Sequence, residues 1–457
     1  MAISLRRPLA HTPAAGRHGL EPAAAPARES LPSAGRASPR VHETPVAIFD
    51  NYWGATLSFV ASLGRRGVPL HVYGSGAARW SRFASRRFAC PPVEDAERFL
   101  PWLEQRVRSG EIHRVAPTTD LIAYYTSLLR SAFAPEVQRA IAPLAEVETC
   151  LVKTRFAAAC SLAGQATPPS LTPEDLETAL LGAERIGYPL ILKPKSHLAV
   201  GAAERGRIVY SAEQLRAYFR PYPIVKGQES LASRYPELRW PLLQRYVPTA
   251  RSQVFSVSGF KDPDGGILAA SLSVKRSQWP QDTGPSTSQV SWRDERILNA
   301  GRTTVDKMIS RGIFELELLT SDSDLLAIDL NPRAFGFLSL DMALGHDLPW
   351  LWFQSTLAPV VREPSPPNPI VIEARLGLPY WMGRAARWLL GLARQRDTST
   401  GERALKVDKR ISMLGHWADP IPLMLRAIWL MRHPRSLIRG HFRDALRSGH
   451  PRAGRVS

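Results

Sequence analysis

Glu315, Glu317, Asp329, Asn331 and Arg333 are the residues of this chain whose types and spacing could do chemistry together. They fall in two short stretches that alternate polar and apolar side chains, 313–319 and 325–331. Alternation of this kind marks a strand with two distinct faces. It puts Glu315 and Glu317 on one face of the first strand. On the second it puts Ala327, Asp329 and Asn331 on one face, with Leu326, Ile328 and Leu330 on the other. The polar run Thr320-Ser321-Asp322-Ser323-Asp324 between them suits a hairpin turn. Closure on Ser323 sets Glu317 opposite Asp329 and Glu315 opposite Asn331. Carboxylate and carboxamide oxygens gathered so, with Arg333 at the edge, suit Mg²⁺, which keeps some waters and bridges to phosphates. The competing reading is a solvated hairpin face, the usual meaning of exposed Glu and Asp.

Two lysines stand where elements begin or end. Lys153 opens a helix that runs to Gly164, and a cation at a helix N-terminus opposes the macrodipole unless an anion is near. Lys193 closes the apolar strand Leu190-Ile191-Leu192 that follows Gly187-Tyr188-Pro189. It either snorkels to solvent or meets an anion. Upstream, Pro45–Asp50, Leu57–Arg66 and Val68–Gly74 read as strand, helix and strand, a right-handed βαβ unit with a parallel sheet. The loop after the first strand is not GxGxxG, so it gives no dinucleotide signature. A helix over 96–109 leads to the strand Arg114-Val115-Ala116. Its end at Thr118-Thr119-Asp120 either caps the next helix or receives a substrate anion. Strands at 255–260 and 266–274 flank an Asp262-Pro263-Asp264-Gly265 turn, and a helix spans 294–309.

With 457 residues at 44% apolar, the chain can bury several cores. Its net charge of +18 is uneven: from Glu363 onward, 17 Lys and Arg face 7 Asp and Glu. Three cysteines without CxxC spacing argue against a disulfide framework or a zinc site, which fits a reducing cytoplasmic compartment. Residues 1–43, rich in Ala, Pro, Arg and Ser, read as disordered. Past the Pro364–Pro369 linker, helices at 381–394 and 423–431 mix tryptophan with arginine. That pattern suits either an anionic membrane surface, making the protein peripheral at the inner face, or docking on the enzyme body. No nucleic-acid module accompanies the charge.

The segment Gly312–Glu317 with Asp329-Leu330-Asn331-Pro332-Arg333 resembles the metal-binding end of the ATP-grasp superfamily. The closest kind is the carboxylate–amine ligase, as in carbamoyl-phosphate synthase large chains and D-aspartate ligases. Here Asp329 stands where the family has Glu. The resemblance extends to Lys153 with Gly164 and Pro168, to Tyr188-Pro189…Lys193-Pro194, and to Leu242-Leu243-Gln244-Arg245-Tyr246-Val247. It covers roughly 45–360. It implies an α/β chain: a Rossmann-like pre-ATP-grasp domain at 44–150, a two-lobed α+β ATP-grasp domain at 151–362 and a basic helical C-terminal region at 363–457. It also implies an adenine hinge near 244–248. By the same resemblance Lys153, Lys193, Gln244, Tyr246 and Val247 bind ATP. Glu317, Asp329 and Asn331 hold one or two Mg²⁺, with Mn²⁺ as a substitute. Arg333 stabilises the transferring phosphoryl group, assisted by a basic residue at the end of the 266–274 strand, Arg276 with Lys275 as the other candidate. The partners implied are a small carboxylate and an amine, joined through an acyl phosphate. A phosphotransferase on the same fold and an ATP-binding regulatory protein are the rival readings. The regulatory reading draws on Ser196–Gly206, where the family's glycine-rich loop is replaced by a segment with only two glycines, and on Arg245 in place of Glu.

Overall fold

A computed structural model describes residues 44–50, 53–200, 206–251, 253–278, 283–321, 324–360, 370–376, 407–413 and four positions from 419 to 424. The helices expected at 381–394 and 423–431 fall almost wholly outside these residues, as does the segment 1–43.

Three sheets carry the described residues. The first is parallel, in the order β3-β2-β1-β4. It is built in sequence from β1 (Val46–Phe49), α1 (Trp53–Arg65), β2 (Leu70–Tyr73), β3 (Arg86–Phe88), α2 (Ala96–Arg108), β4 (Arg114–Val115) and α3 (Asp120–Leu128). All four residues of β1 are buried, as the continuous apolar run of a strand covered on both faces requires. Thr119 caps α3 by accepting from the Ile122 N–H at 3.2 Å, which settles the cap among the three residues considered. Then α4 (Pro135–Gln138), α5 (Leu144–Leu151) and α6 (Lys153–Ala163) lead onward. Gly164 ends α6 in the left-handed region at φ 77°, where a side chain would be strained.

The second sheet is antiparallel, β5-β8-β6-β7. Its elements are β5 (Ser170–Leu171), α7 (Leu176–Ile186), β6 (Leu190–Lys193), β7 (Arg207–Val209), α8 (Ala212–Tyr218), α9 (Glu229–Arg234) and β8 (Leu242–Arg245). Leu190, Leu192 and Leu243 face α7 and α8 in one small core with Ala179, Ala183 and Leu215. The period of two therefore turns Ile191 and Lys193 to the opposite face, with Leu242 and Gln244 paired beside them.

The third sheet has seven strands, β13-β12-β9-β10-β11-β14-β15. Its elements are β9 (Val254–Asp262), β10 (Gly266–Gln278), β11 (Ser286–Ser291), α10 (Glu295–Met308), β12 (Gly312–Ser321), β13 (Asp324–Asn331), α11 (Leu338–Ala343), α12 (Leu348–Ser355), β14 (Ile372–Arg375) and β15 (Lys409–Ser412). One face buries Phe255, Val257, Leu272, Phe314, Leu316 and Leu318 against Ile297 and Val305 of α10 and Phe156 of α6. Each such side chain contributes about 1.5–3 kcal/mol of burial, so this face fixes the sheet and leaves the other for chemistry. The residues after 363, expected as a separate helical region, supply the last two strands. Asp419 also accepts from Ser81 Oγ and the Arg82 N–H, fastening that region to the first sheet.

Candidate active site

The hairpin of β12 and β13 pairs Glu317 with Asp329 and Glu315 with Asn331, the pairs expected from closure on Ser323. The route to that register differs from a plain hairpin. Near the tip Ser321 pairs with Asp324 and Leu318 with Ala327, so Ile328 is an extra residue, a β-bulge, on β13. The bulge corrects the expected faces. Ala327 and Leu330 lie in the core beneath the sheet. Leu326 and Ile328 lie with Val247, Val254 and Leu319 in a separate apolar patch. On β12 the period of two puts Leu319 on the face of Glu315 and Glu317, so this patch adjoins the carboxylates.

Cations from two elements pair with those carboxylates. Lys153 Nζ, at the start of α6, lies 2.7 Å from Asp329 Oδ1. Lys275 Nζ, on β10, lies 2.7 Å from Glu317 Oε1. Asn331 donates from Nδ2 to Glu315 Oε2 at 3.1 Å, which turns its carboxamide oxygen away from Glu315. Burial would raise the Asp329 pKa, but Lys153, Lys193 and His197 hold it below the usual range. Burial, then the neighbouring Glu317 carboxylate, pushes Glu315 up. Burial works against the charge of Lys275, yet Glu317, Glu315 and Asp329 hold its pKa above the ordinary lysine value.

Lys193 is the exception. Burial and the adjacent Lys153 push it down to about 7, against the pull of Asp329 and Glu317. Its ammonium has no hydrogen-bond or ion-pair partner among the described residues. A half-buried cation at a strand end, short of an anion, is what a phosphate-binding lysine looks like before phosphate arrives.

The hinge follows β8. Gln244 faces the cleft and donates from Nε2 to Ser170 Oγ at 2.8 Å. The Tyr246 N–H is spent on Pro189 O at 3.0 Å. The Val247 N–H finds no acceptor among the described residues, while its side chain joins the apolar patch. An unspent backbone donor beside an apolar floor can take the edge and face of a flat heterocycle.

Arg276 does not join the site. It is the extra residue of a bulge between Lys275 and Ser277, is exposed, and its charge acts on Glu373. Lys275 occupies the place given to it, and the shared face of Ser271, Ser273 and Lys275 was the signal for this. Arg333 stays at the edge of the site: its Nε donates to Asp120 Oδ1 at 2.6 Å and its Nη1 to Ala334 O at 2.7 Å, while its charge acts on Glu315. The segment standing in place of the glycine-rich loop turns inward over 198–200. Leu198, Ala199 and Val200 are 0–4% exposed, and the first two pack into a core with Leu231, Tyr235 and Leu238. Leucine and valine there gain more by burial than by covering a ligand.

No group of three or more His, Cys, Asp or Glu close enough to hold a metal occurs among the described residues. The donor chemistry nonetheless fits a hard dication. Lys153 and Lys275 each take one oxygen of Asp329 and Glu317, which leaves the second oxygen of each and the Asn331 carbonyl for a cation. A separate cavity lined by Ala270, Leu272, Trp292, Leu298, His346 and Val371 includes none of these groups. No helix among the described residues is long and apolar enough to cross a membrane.

No family model matches the chain. Among curated proteins it is similar to the arginine-specific carbamoyl phosphate synthase large chain of Halalkalibacterium halodurans, 27% identical over 175 residues. That match covers 36% of this chain and 15% of the relative. A carbamoyl phosphate synthase large chain of Vibrio parahaemolyticus is 24% identical over 188 residues, 40% of this chain and 16% of the relative. The matches thus span about one sixth of these relatives' length. Among solved structures, biotin carboxylase from Campylobacter jejuni, in a complex with β,γ-ATP, superposes with a TM-score of 0.56 at 15% identity. It covers 73% of this chain and 75% of that one. An L-amino acid ligase from Bacillus licheniformis superposes with a TM-score of 0.51 at 15% identity, over 70% and 76%. The fold of the chain is ATP-grasp.

Proposed function

We propose that this ATP-grasp chain is an ATP- and Mg²⁺-dependent ligase that joins a small carboxylate to an amine through an acyl phosphate, releasing ADP and phosphate. The observation that carries the reading is the unpartnered Lys193 ammonium beside the Lys153–Asp329 and Lys275–Glu317 pairs. Three lysines converge on two carboxylates, and a polyphosphate with its cation supplies the missing charges. The likeness to a biotin carboxylase solved with β,γ-ATP and to an L-amino acid ligase supports the same reading.

In this reading the adenine lies on Val247, Val254, Leu319, Leu326 and Ile328 and takes the Val247 N–H. Lys153 and Lys193 hold the phosphates. Glu317, Asp329 and Asn331 are the ligands of Mg²⁺, which when bound neutralises phosphate charge and aligns the γ-phosphoryl group. Lys275 and Arg333 stabilise charge on the phosphoryl group as the substrate carboxylate attacks it. The amine then displaces phosphate from the activated carbonyl, so no side-chain nucleophile is needed.

The test is release of ADP and phosphate from Mg·ATP against pools of carboxylates and amines, with mass spectrometry of positives. A product one water lighter than its two reactants establishes the ligase, and a phosphorylated product with no amide overturns it. The buried Leu198-Ala199-Val200 segment favours a second reading, nucleotide binding without turnover. That reading holds only where no pool yields ADP and Asp329→Ala binds and behaves like the wild type.

A further inference from the structure

Lys195 is a buried lysine that no step of the proposed reaction uses. A lysine just past a strand end ordinarily keeps its charge in water, yet Lys195 is 1% exposed. Burial lowers its pKa, so a charge is held there at a cost. Among the described residues its ammonium has one hydrogen bond, Nζ donating to Glu237 O at 2.7 Å. That carbonyl belongs to the segment between α8 and β8, which leaves the second sheet and docks on α2 and α3. Its Leu231, Tyr235 and Leu238 are 1–5% exposed and share a core with Phe99, Leu103 and Tyr124. The Tyr235 hydroxyl also donates to Glu148 of α5. The acceptor for Lys195 is therefore fixed from outside the second sheet.

The backbone of residue 195 is tied as well. Helix α6 starts after Val152, whose side chain makes no cap, so its first N–H groups need acceptors from elsewhere. The Lys153 N–H donates to Lys195 O at 2.8 Å. Residue 195 thus joins the start of α6 to the end of β6, two positions past Lys193. Arg155, two positions into α6 from Lys153, places Nη2 3.8 Å from Glu237 Oε1. The start of α6, residue 195 and residue 237 therefore form a closed triangle. Lys153 and Lys193 come from different elements, and this junction sets the spacing between them, with the Lys153 side chain paired to Asp329 at 2.7 Å.

We propose that Lys195 is a positioning residue: its ammonium, seated on Glu237 O, holds the junction of β6 and α6 so that Lys153 and Lys193 meet a polyphosphate at one fixed spacing. This rests on the reading in which those two lysines hold the ATP phosphates. It needs neither the acid nor the amine to be known. A buried charge is a poor source of stability, and here it selects one direction for the turn that follows Lys193.

The probes are Mg·ATP and adenosine, whose dissociation constants are measured on the full chain together with its urea unfolding midpoint. In Lys195→Met, Mg·ATP affinity should fall about tenfold, the scale of one charge-assisted hydrogen bond, while adenosine affinity stays within about twofold. The midpoint should hold or rise, because an apolar side chain replaces a buried charge. Lys195→Gln, which keeps a donor one bond shorter, should fall between Met and wild type. It keeps the idea testable where Lys195→Met does not fold. An unchanged ratio of the two affinities in the variants, or an equal loss of both, overturns the inference while leaving the phosphate reading in place. So does a loss of ATP affinity that tracks a lowered midpoint, which is the mark of a merely structural lysine. A wild type that binds Mg·ATP no more tightly than adenosine sinks the phosphate reading of Lys153 and Lys193, and the inference with it.

Discussion

Binding of ATP should draw a proton from solution, and Lys193 is its destination. Burial and Lys153 leave this ammonium at about 7 in the free protein, against an ordinary 10.5. At pH 7.5 such a group is only about one quarter protonated. A polyphosphate alongside favours the charged form and restores the ordinary value, so binding takes up about 0.7 proton at pH 7.5 and about 0.1 at pH 6. The sign follows from linkage. The bound state holds more protons, so affinity weakens as pH rises above about 7, approaching tenfold per unit. Titration calorimetry in buffers of different ionisation enthalpy measures the uptake directly. Lys193→Met isolates the lysine's share from that of Glu315, because only the difference between wild type and variant is assigned to Lys193. The variant should also bind ATP about 10- to 150-fold more weakly, the loss of one charge-assisted hydrogen bond. An uptake below about 0.2 proton at pH 7.5, or one that survives in Lys193→Met, would refute the reasoning.

Other outcomes follow from the same geometry. Lys275→Met should lower Mg·ATP turnover at least tenfold, and Arg276→Ala should change it less than threefold; steady-state rates of the two variants decide which strand face serves the site. Asp341, on α11, is buried against β9 and β10, and burial raises its carboxyl from 3.8 to about 6 although Ser271 and Ser258 donate to it. The folded state thus prefers the protonated acid, a contribution present below about pH 4 and lost as pH rises through about 6. Asp341→Asn should remove this slope and recover up to about 3 kcal/mol at pH 7, read by urea unfolding across pH 4–7; an unchanged slope would assign the pH dependence elsewhere. Gly54→Ala should cost about 1–3 kcal/mol by forcing Cβ against Gly336 O, a loss that denaturant midpoints would detect.

Much of the site was legible because strand pairing obeys arithmetic. Glu317 and Asp329 oppose each other once closure on Ser323 is assumed, a register that the bulge at Ile328 restores although the tip pairs Ser321 with Asp324, and Lys153 and Lys193 stand at element ends that sequence marks well. Bulges are a different matter. Whether Ile328 or Arg276 is squeezed out of a ladder depends on how neighbouring strands pack, so local alternation misassigned Leu326, Ala327 and Ile328, and the resemblance placed Arg276 where Lys275 stands. The fate of Leu198-Ala199-Val200 was equally hidden. It is decided by contacts with 225–238 and with the parallel sheet, far off in sequence. The two strands after 363 escaped notice for the opposite reason: four-residue edge strands in a basic, tryptophan-rich region carry little periodic signal of their own.

The bulge at Ile328 also makes that position separable from its neighbours. Deleting it in thought leaves Leu325, Ala327 and Leu330 on the buried side and Leu326, Asp329 and Asn331 on the other, each where it already is. Ile328 is thus a spacer whose loss would disturb neither the register nor the places of Glu317, Asp329 and Asn331, the ligands proposed for Mg²⁺, only the breadth of the apolar patch proposed to floor the base. A one-residue deletion becomes a tool for nucleobase choice: the shortened protein should keep its fold and shift its preference between ATP and GTP. Competition binding of the two nucleotides reads that shift, and an unchanged ratio would show that the floor ends short of the base.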